Sequence, residues 1–134
     1  MADAPTELLG RVEIFRDLDR GERKKIAGAM RQKHFDAGRD VVTEGEGAVG
    51  FFVIEDGTAT VSVAGQEVRT LGPGDYFGEI ALLAGSNRTA TVTAQTDVTC
   101  WALTSWAFRP IVEGNSSIAW KLIQALAELL SRRS

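Results

Sequence analysis

Metal-ligating and disulfide-forming residues are nearly missing from this chain of 134 residues, which carries one histidine and one cysteine. A lone Cys100 excludes any internal disulfide and supplies no metal-ligand spacing. It reads as a buried strand thiol, the usual place of a free cysteine, and the absence of disulfides favours a reducing, cytoplasmic setting. A lone His34 excludes the two or three histidines and a carboxylate on which metal-dependent enzymes of the small β-roll type are built. No serine or cysteine stands in a nucleophile motif with a base nearby in sequence, so an enzyme is not expected. No apolar run approaches the ~18 residues of a membrane span. The N-terminus, with Asp3 and Glu7 and no apolar core segment, is not a secretory signal. Positive charge is short as well: 15 Lys and Arg against 18 Asp and Glu leave a net charge of −3. That balance argues against a broad nucleic-acid-binding face, though not against one small anion held locally.

What is present falls into three zones with no repeat, low-complexity tract or linker between them, so one domain over residues 1–134 is expected. Residues 1–33 read as helical. Asp19 can cap a helix with Glu22 as its reciprocal partner three residues on, and Ile26, Ala27 and Met30 give it an apolar face. Residues 34–104 read as β-rich: short runs at 41–42, 51–54, 58–63 and 91–93 are separated by glycine-containing turns. Gly72, Pro73, Gly74 and Asp75 form a tight turn whose structural reading is complete without a ligand role. Many short strands with such turns suggest a closed roll or jelly roll.

Residues 105–134 read as two helices. The first, over 105–112, contains Pro110, which removes a hydrogen bond and kinks or ends it. The second, over 115–133, is capped by Asn115 and would be about 28 Å long at ~1.5 Å per residue. Its apolar stripe of Ile118, Leu122, Leu126 and Leu129 has helical spacing. That stripe either meets a second copy of the chain, giving a homodimer, or folds back on the roll.

The stretch FGEIALLAGSNRTATV, residues 77–92, carries the most functional information. Gly78 lets the backbone come close to a ligand, because it has no Cβ to obstruct it. Residues 80–84 can form one helical turn whose free N–H groups point at an anion. Arg88, nine residues after Glu79, offers a planar fork of donors that matches two phosphate oxygens. Glu79 would be misplaced beside a phosphate unless it accepts from a neighbouring hydroxyl, such as that of a ribose. The implied ligand has both a phosphate and a ribose.

Gly78, Glu79, Ala81, Leu82, Arg88, Ala90 and Val92, in register without a gap, resemble the phosphate-binding cassette of the cyclic nucleotide-binding domain family. The resemblance covers nearly the whole chain. Residues 9–17 are similar to the family's N-terminal segment, 35–38 with Glu44 and Gly45 to its first hairpin, and 52–57 and 71–75 to its middle strands and the turn before the cassette. It implies an α+β fold: an eight-stranded, jelly-roll-like β-roll with N-terminal helices, a short phosphate-binding helix and two C-terminal helices. It also implies a non-catalytic sensor, without metal or cofactor, that binds cAMP as its preferred ligand and cGMP as well, and relays occupancy through its C-terminal helix to an effector protein. Arg88 would pair with the cyclic phosphate and Glu79 would accept from the ribose 2′-hydroxyl. Backbone groups of Gly78, Ile80, Ala81, Thr89 and Ala90 would complete the cradle that Phe77 opens. Val61 and Val68 would form an apolar floor beneath the base. The long helix would be the lid, with Trp120, Arg132, Arg133 or Ser134 touching the base.

Two positions depart from the family pattern: Asn87 stands where many members have proline, and Thr89 where cAMP-dependent kinase subunits carry alanine. By resemblance the Thr89 hydroxyl can reach a guanine amino group or a phosphate oxygen, which permits cGMP without demanding it. Regulators of the catabolite-activator type continue after the long helix into a helix-turn-helix. This chain resembles their sensor half, standing alone or as part of a longer regulator or channel. A module that has lost its ligand would be free to lose Glu79 and Arg88, and both are present.

Overall fold

A computed structural model describes residues 4–48, 50–83 and 86–133. Helix α1 (Thr6–Leu9) and a 3₁₀ turn (Glu13–Phe15) lead into α2 (Arg20–Gly28). Then come β1 (Arg31–Phe35), β2 (Asp40–Val42), β3 (Gly47–Ala48), β4 (Gly50–Asp56), β5 (Ala59–Val63) and β6 (Gln66–Leu71). They are followed by β7 (Tyr76–Phe77), a second 3₁₀ turn (Glu79–Leu82), β8 (Ser86–Asn87), β9 (Thr91–Ala94) and β10 (Val98–Thr104). Helices α3 (Ser105–Glu113) and α4 (Ser116–Arg133) complete the described elements.

Eight strands form two antiparallel sheets, ordered β1-β10-β4-β7 and β2-β9-β5-β6, while β3 and β8 pair with each other. The result is a β-roll of two sheets with helices, not a closed barrel. Because side chains alternate along a strand, β4 serves two cores at once. Phe51 and Val53 pack with Leu9, Phe15, Ile26 and Phe108 of the helical layer, whereas Phe52 and Ile54 face the other sheet. Between the sheets, Ile54, Val98 and Cys100 meet Val61, Leu71, Val92 and Ala94. The turn before β7 is the one its sequence dictates: Asp75 N–H donates to Gly72 O at 3.0 Å, and Gly74 takes the positive φ of +88°.

The capping box of α2 forms as its spacing predicts. Asp19 Oδ1 accepts from Glu22 N–H at 2.8 Å, and Glu22 Oε1 accepts from Asp19 N–H at 2.9 Å. Glu22 does more than cap, because it also accepts from Lys121 Nζ at 2.6 Å and from Ser117 Oγ at 2.7 Å on α4. The Lys121 hydrogen bond, with those from Asp19 and Ser117, holds the Glu22 carboxyl at about 2 against an ordinary 4.5. A lowered carboxyl pKa contributes stability that is complete above the unfolded value and is lost as pH falls through the folded one. Glu22→Gln is therefore expected to flatten the acid limb of the melting curve between pH 4.5 and 2.5. Equal loss of Tm in native and variant protein across that window would remove Glu22 from the account.

Several elements differ from the sequence reading. The β zone begins at Arg31 rather than His34, because β1, despite its charged sequence, pairs along its whole length with β10. Pro110 does not end α3; the helix runs on to Glu113. Only one bond is lost to the proline. Thr104 caps the first turn by accepting from Ala107 N–H at 3.3 Å, and buried Phe108 anchors the next. Asn115 heads α4, its carbonyl accepting from Ala119 N–H. Its side chain is committed elsewhere: Oδ1 accepts from Lys25 Nζ and Nδ2 donates to Ile111 O.

The stripe of α4 folds back on the molecule. Ile118 and Leu122 are buried, and Leu126 and Leu129 pack against the same core. Arg16 pairs with Glu128, and Arg132 Nη2 lies 3.2 Å from Glu13 Oε2, so α4 is fastened to the first 3₁₀ turn. The stripe is thus used within the chain.

Candidate functional site

A cleft of about 580 Å³ opens where the cassette, the sheet of β5 and β6, and the end of α4 converge. Its centre is built by Gly78 and Arg88. Gly78 has φ +83°, and a Cβ on it would stand 2.7 Å from Gly50 O and 2.5 Å from Arg88 Nη1. The guanidinium can lie against the Gly78 backbone only because that Cβ is missing.

Arg88 is pinned at both ends. Its N–H donates to Glu46 O at 2.7 Å, and its carbonyl accepts from Gly45 N–H at 2.9 Å. Its Nη2 donates to Gly50 O at 2.7 Å, and its Cζ lies 5.9 Å from the Phe52 ring centroid. Phe52 in turn stacks on Phe77, with centroids 5.1 Å apart. Burial pushes the Arg88 guanidinium below the ordinary arginine value. Among the described residues no carboxylate pairs with it. A half-buried cation with several donors still unused is a site built for an anion.

Phe77, Gly78, Glu79, Arg88, Thr89, Ala90 and Val61 all line the cleft. Ile80 and Ala81 lie in the second 3₁₀ turn, and their side chains are outside the described residues, as is Ala84. Val68 does not join them. It is 58% exposed and stands at a β-bulge, where Val61 pairs with Arg69 and Ser62 with Glu67. The floor is made by Val61 with Leu71 and Val92, all of which line the cleft.

The lid residues also differ from expectation. Trp120 is 60% exposed and away from the cleft, and Arg132 is occupied by Glu13. The Arg133 side chain and Ser134 lie outside the described residues. Leu126, Leu129 and Leu130 are the α4 residues that reach the cleft. Glu13 and Ile14 of the first 3₁₀ turn reach it too, as do Tyr76 and Asp75. Sequence reading missed Arg69, which also lines it; its i+2 spacing to Leu71 was the available signal.

The remaining chemistry-bearing residues stand apart. His34 Nδ1 is 2.9 Å from Thr99 Oγ1 on the exposed β1 edge. Burial pushes the Cys100 thiol up to about 11, which leaves little thiolate at neutral pH. Among the described residues no group of His, Cys, Asp and Glu is arranged to hold a metal, and no helix is long and apolar enough to cross a membrane.

Two sheets, a glycine-opened cassette and an arginine without a carboxylate partner among the described residues make a β-roll whose cleft suits a small anion. The family model of the cyclic nucleotide-binding domain matches residues 32–115, and the chain belongs to that family. Domains of this family are sensors rather than catalysts. The cAMP-dependent protein kinase regulatory subunit of Debaryomyces hansenii is 38% identical over 109 residues, which are 80% of this chain and 24% of that protein. The N-terminal domain of a transcriptional regulator from Streptomyces coelicolor A3(2) has TM-score 0.90 and 24% identity, covering 95% of this chain and 94% of that one, a likeness of fold alone. The regulatory domain of Toxoplasma gondii PKA, crystallised with cAMP, has TM-score 0.73 and 29% identity, covering 92% of this chain and 48% of that one. The chain spans about a quarter of the length of the curated relatives it matches.

Proposed function

We propose that the chain is a cyclic nucleotide sensor that takes cAMP and also cGMP, with no metal or cofactor. The observation that carries this reading is Arg88: half-buried, without a carboxylate partner among the described residues, and held against Gly78 at the mouth of a 3₁₀ turn. The cAMP-bound Toxoplasma structure supports the choice of ligand. Arg88 pairs with the cyclic phosphate, and backbone groups of Gly78, Ile80, Ala81, Thr89 and Ala90 complete the cradle. Val61, with Leu71 and Val92, lies beneath the base. Residues 1–134 act as one domain, in the cytoplasm.

Occupancy is relayed by α4. Leu126, Leu129 and Leu130 touch the cleft, while Glu128, Arg132 and Lys121 of the same helix hold Arg16, Glu13 and Glu22. A ligand that contacts the leucines in only one arrangement of α4 shifts the helix and its ion pairs together. The recipient is a protein effector. A homodimer through α4 would use its outer face, where Trp120 and Ile123 are exposed.

Titration of the purified chain with cAMP, cGMP and a cyclic dinucleotide tests the reading. Saturable binding of the first two, at one per chain, is expected; binding of the dinucleotide alone, or of none, rejects it. Glu79, partly buried on the cleft wall, accepts from the ribose 2′-hydroxyl. Glu79→Gln is expected to weaken cAMP several-fold while hardly altering 2′-deoxy-cAMP, since a carboxylate does nothing for a hydroxyl that is absent. Equal losses for both ligands would give Glu79 another role, such as orienting Arg88.

A further inference from the structure

Glu44 joins three pieces of the site while standing outside the cleft lining. It sits in the turn between β2 and β3, where Glu46 N–H donates to Thr43 O at 3.2 Å and Gly45 takes a φ of +88°. Its own N–H donates to Thr91 Oγ1 of β9 at 2.9 Å, and its Oε1 accepts from Ala64 N–H at 3.0 Å. The two residues after it hold the main chain of Arg88: Gly45 N–H donates to Arg88 O, and Glu46 O accepts from Arg88 N–H.

Ala64 lies at the tip of the β5–β6 hairpin. Pairing of β5 with β9 stops at Ser62 opposite Thr91, and Val63 pairs with Gln66 inside the hairpin, so the tip overhangs the sheet. Among the described residues, the bond to Glu44 is the tip's one hydrogen bond to another element. Ala64 also takes φ +52°, a region that residues other than glycine keep only when their surroundings hold them there.

The hairpin carries Val61, the floor of the cleft, and the turn carries the main chain of Arg88. Resting on the sensor reading above, we infer that Glu44 is a positioning residue for the nucleotide. Its carboxylate fixes the spacing between the arginine that takes the phosphate and the strand that lies beneath the base, without touching the ligand. A ligand that spans both meets a preset gap, and the ordering cost of binding falls. By reciprocity, a bound ligand holds the hairpin tip against Glu44.

Calorimetry with cAMP on the native chain, Glu44→Ala and Glu44→Gln tests the inference, with melting curves alongside and Ala64 amide exchange followed by NMR. Glu44 is exposed in a turn, so both variants should fold. Glu44→Ala should bind cAMP about fivefold more weakly, near the middle of the net worth of one hydrogen bond. Glu44→Gln keeps an acceptor oxygen and should stay within about twofold of native. Saturating cAMP should slow Ala64 amide exchange several-fold in the native chain and leave it unchanged in Glu44→Ala. In an Arg88→Ala background the further loss from Glu44→Ala should nearly vanish, because one end of the spacing then has no anchor for the phosphate. A lowered melting temperature with native affinity would leave Glu44 a role in stability alone and overturn the inference. Equal losses in the Ala and Gln variants would assign the effect to charge rather than to the bond, and overturn it too. A native chain that binds no cyclic nucleotide would instead reject the sensor reading on which it rests.

Discussion

Arg88→Ala is expected to lower affinity for cAMP and cGMP by tenfold at least, more than replacement of any other side chain at the cleft. Hydrogen bonds to a charged group contribute on the order of 1.5–3 kcal/mol each, and ~1.4 kcal/mol is a factor of ten. The guanidinium is already seated, with Nη2 on Gly50 O and Cζ over Phe52, so little ordering entropy opposes the bond to the ligand. Arg88→Lys should recover only part of the loss, because an ammonium cannot present the planar fork. The ligand-free protein should melt at nearly the native temperature. The variant forfeits one bond to Gly50 O, but it also removes a cation that burial disfavours and that no carboxylate among the described residues offsets. Calorimetry gives the first quantity and thermal denaturation the second. Native affinity in Arg88→Ala would move the anion site elsewhere.

The cassette was legible before any coordinates because its logic is local. Gly78, Glu79 and Arg88 act within one short segment, and the chemistry of each side chain limits what it can do there. The capping box at Asp19 and Glu22 was legible for the same reason. What sequence left open depended on pieces meeting from afar. Strand β1, RQKHF, has no apolar alternation, and only its pairing with β10 makes it a strand. Val68 and Arg69 are neighbours in sequence, and the bulge opposite Val61 and Ser62 decides which of them faces the cleft. Helical spacing told that α4 has an apolar face but not what the face meets. The same phase that buries Ile118 and Leu122 delivers Leu126 and Leu129 to the cleft four and seven residues later. That leucines of α4 line the cleft was therefore invisible beside the more conspicuous Trp120, which is exposed.

Gly78→Ala is expected to do what Arg88→Ala does not: remove binding and destabilise the protein together. At φ +83° an alanine is strained by about 1–3 kcal/mol before any contact is considered. The added Cβ would then stand 2.7 Å from Gly50 O. That oxygen cannot retreat easily, because Gly50 begins β4 beside fully buried Phe51, and its own Cα face is already close to Leu103 O of β10. The second clash, 2.5 Å from Arg88 Nη1, is relieved by moving the guanidinium, and that movement breaks the bond to Gly50 O and unseats the anion site. A stability loss of about 2 kcal/mol is expected by urea denaturation, within the range for strain at a special backbone position. Nucleotide affinity should fall at least as far as in Arg88→Ala. Because both changes act through one guanidinium, the double variant should bind scarcely worse than Gly78→Ala alone, a non-additivity that contact predicts and separate sites do not. Fully additive losses, or a Gly78→Ala protein with native stability and affinity, would mean that Arg88 does not depend on the bare backbone at Gly78.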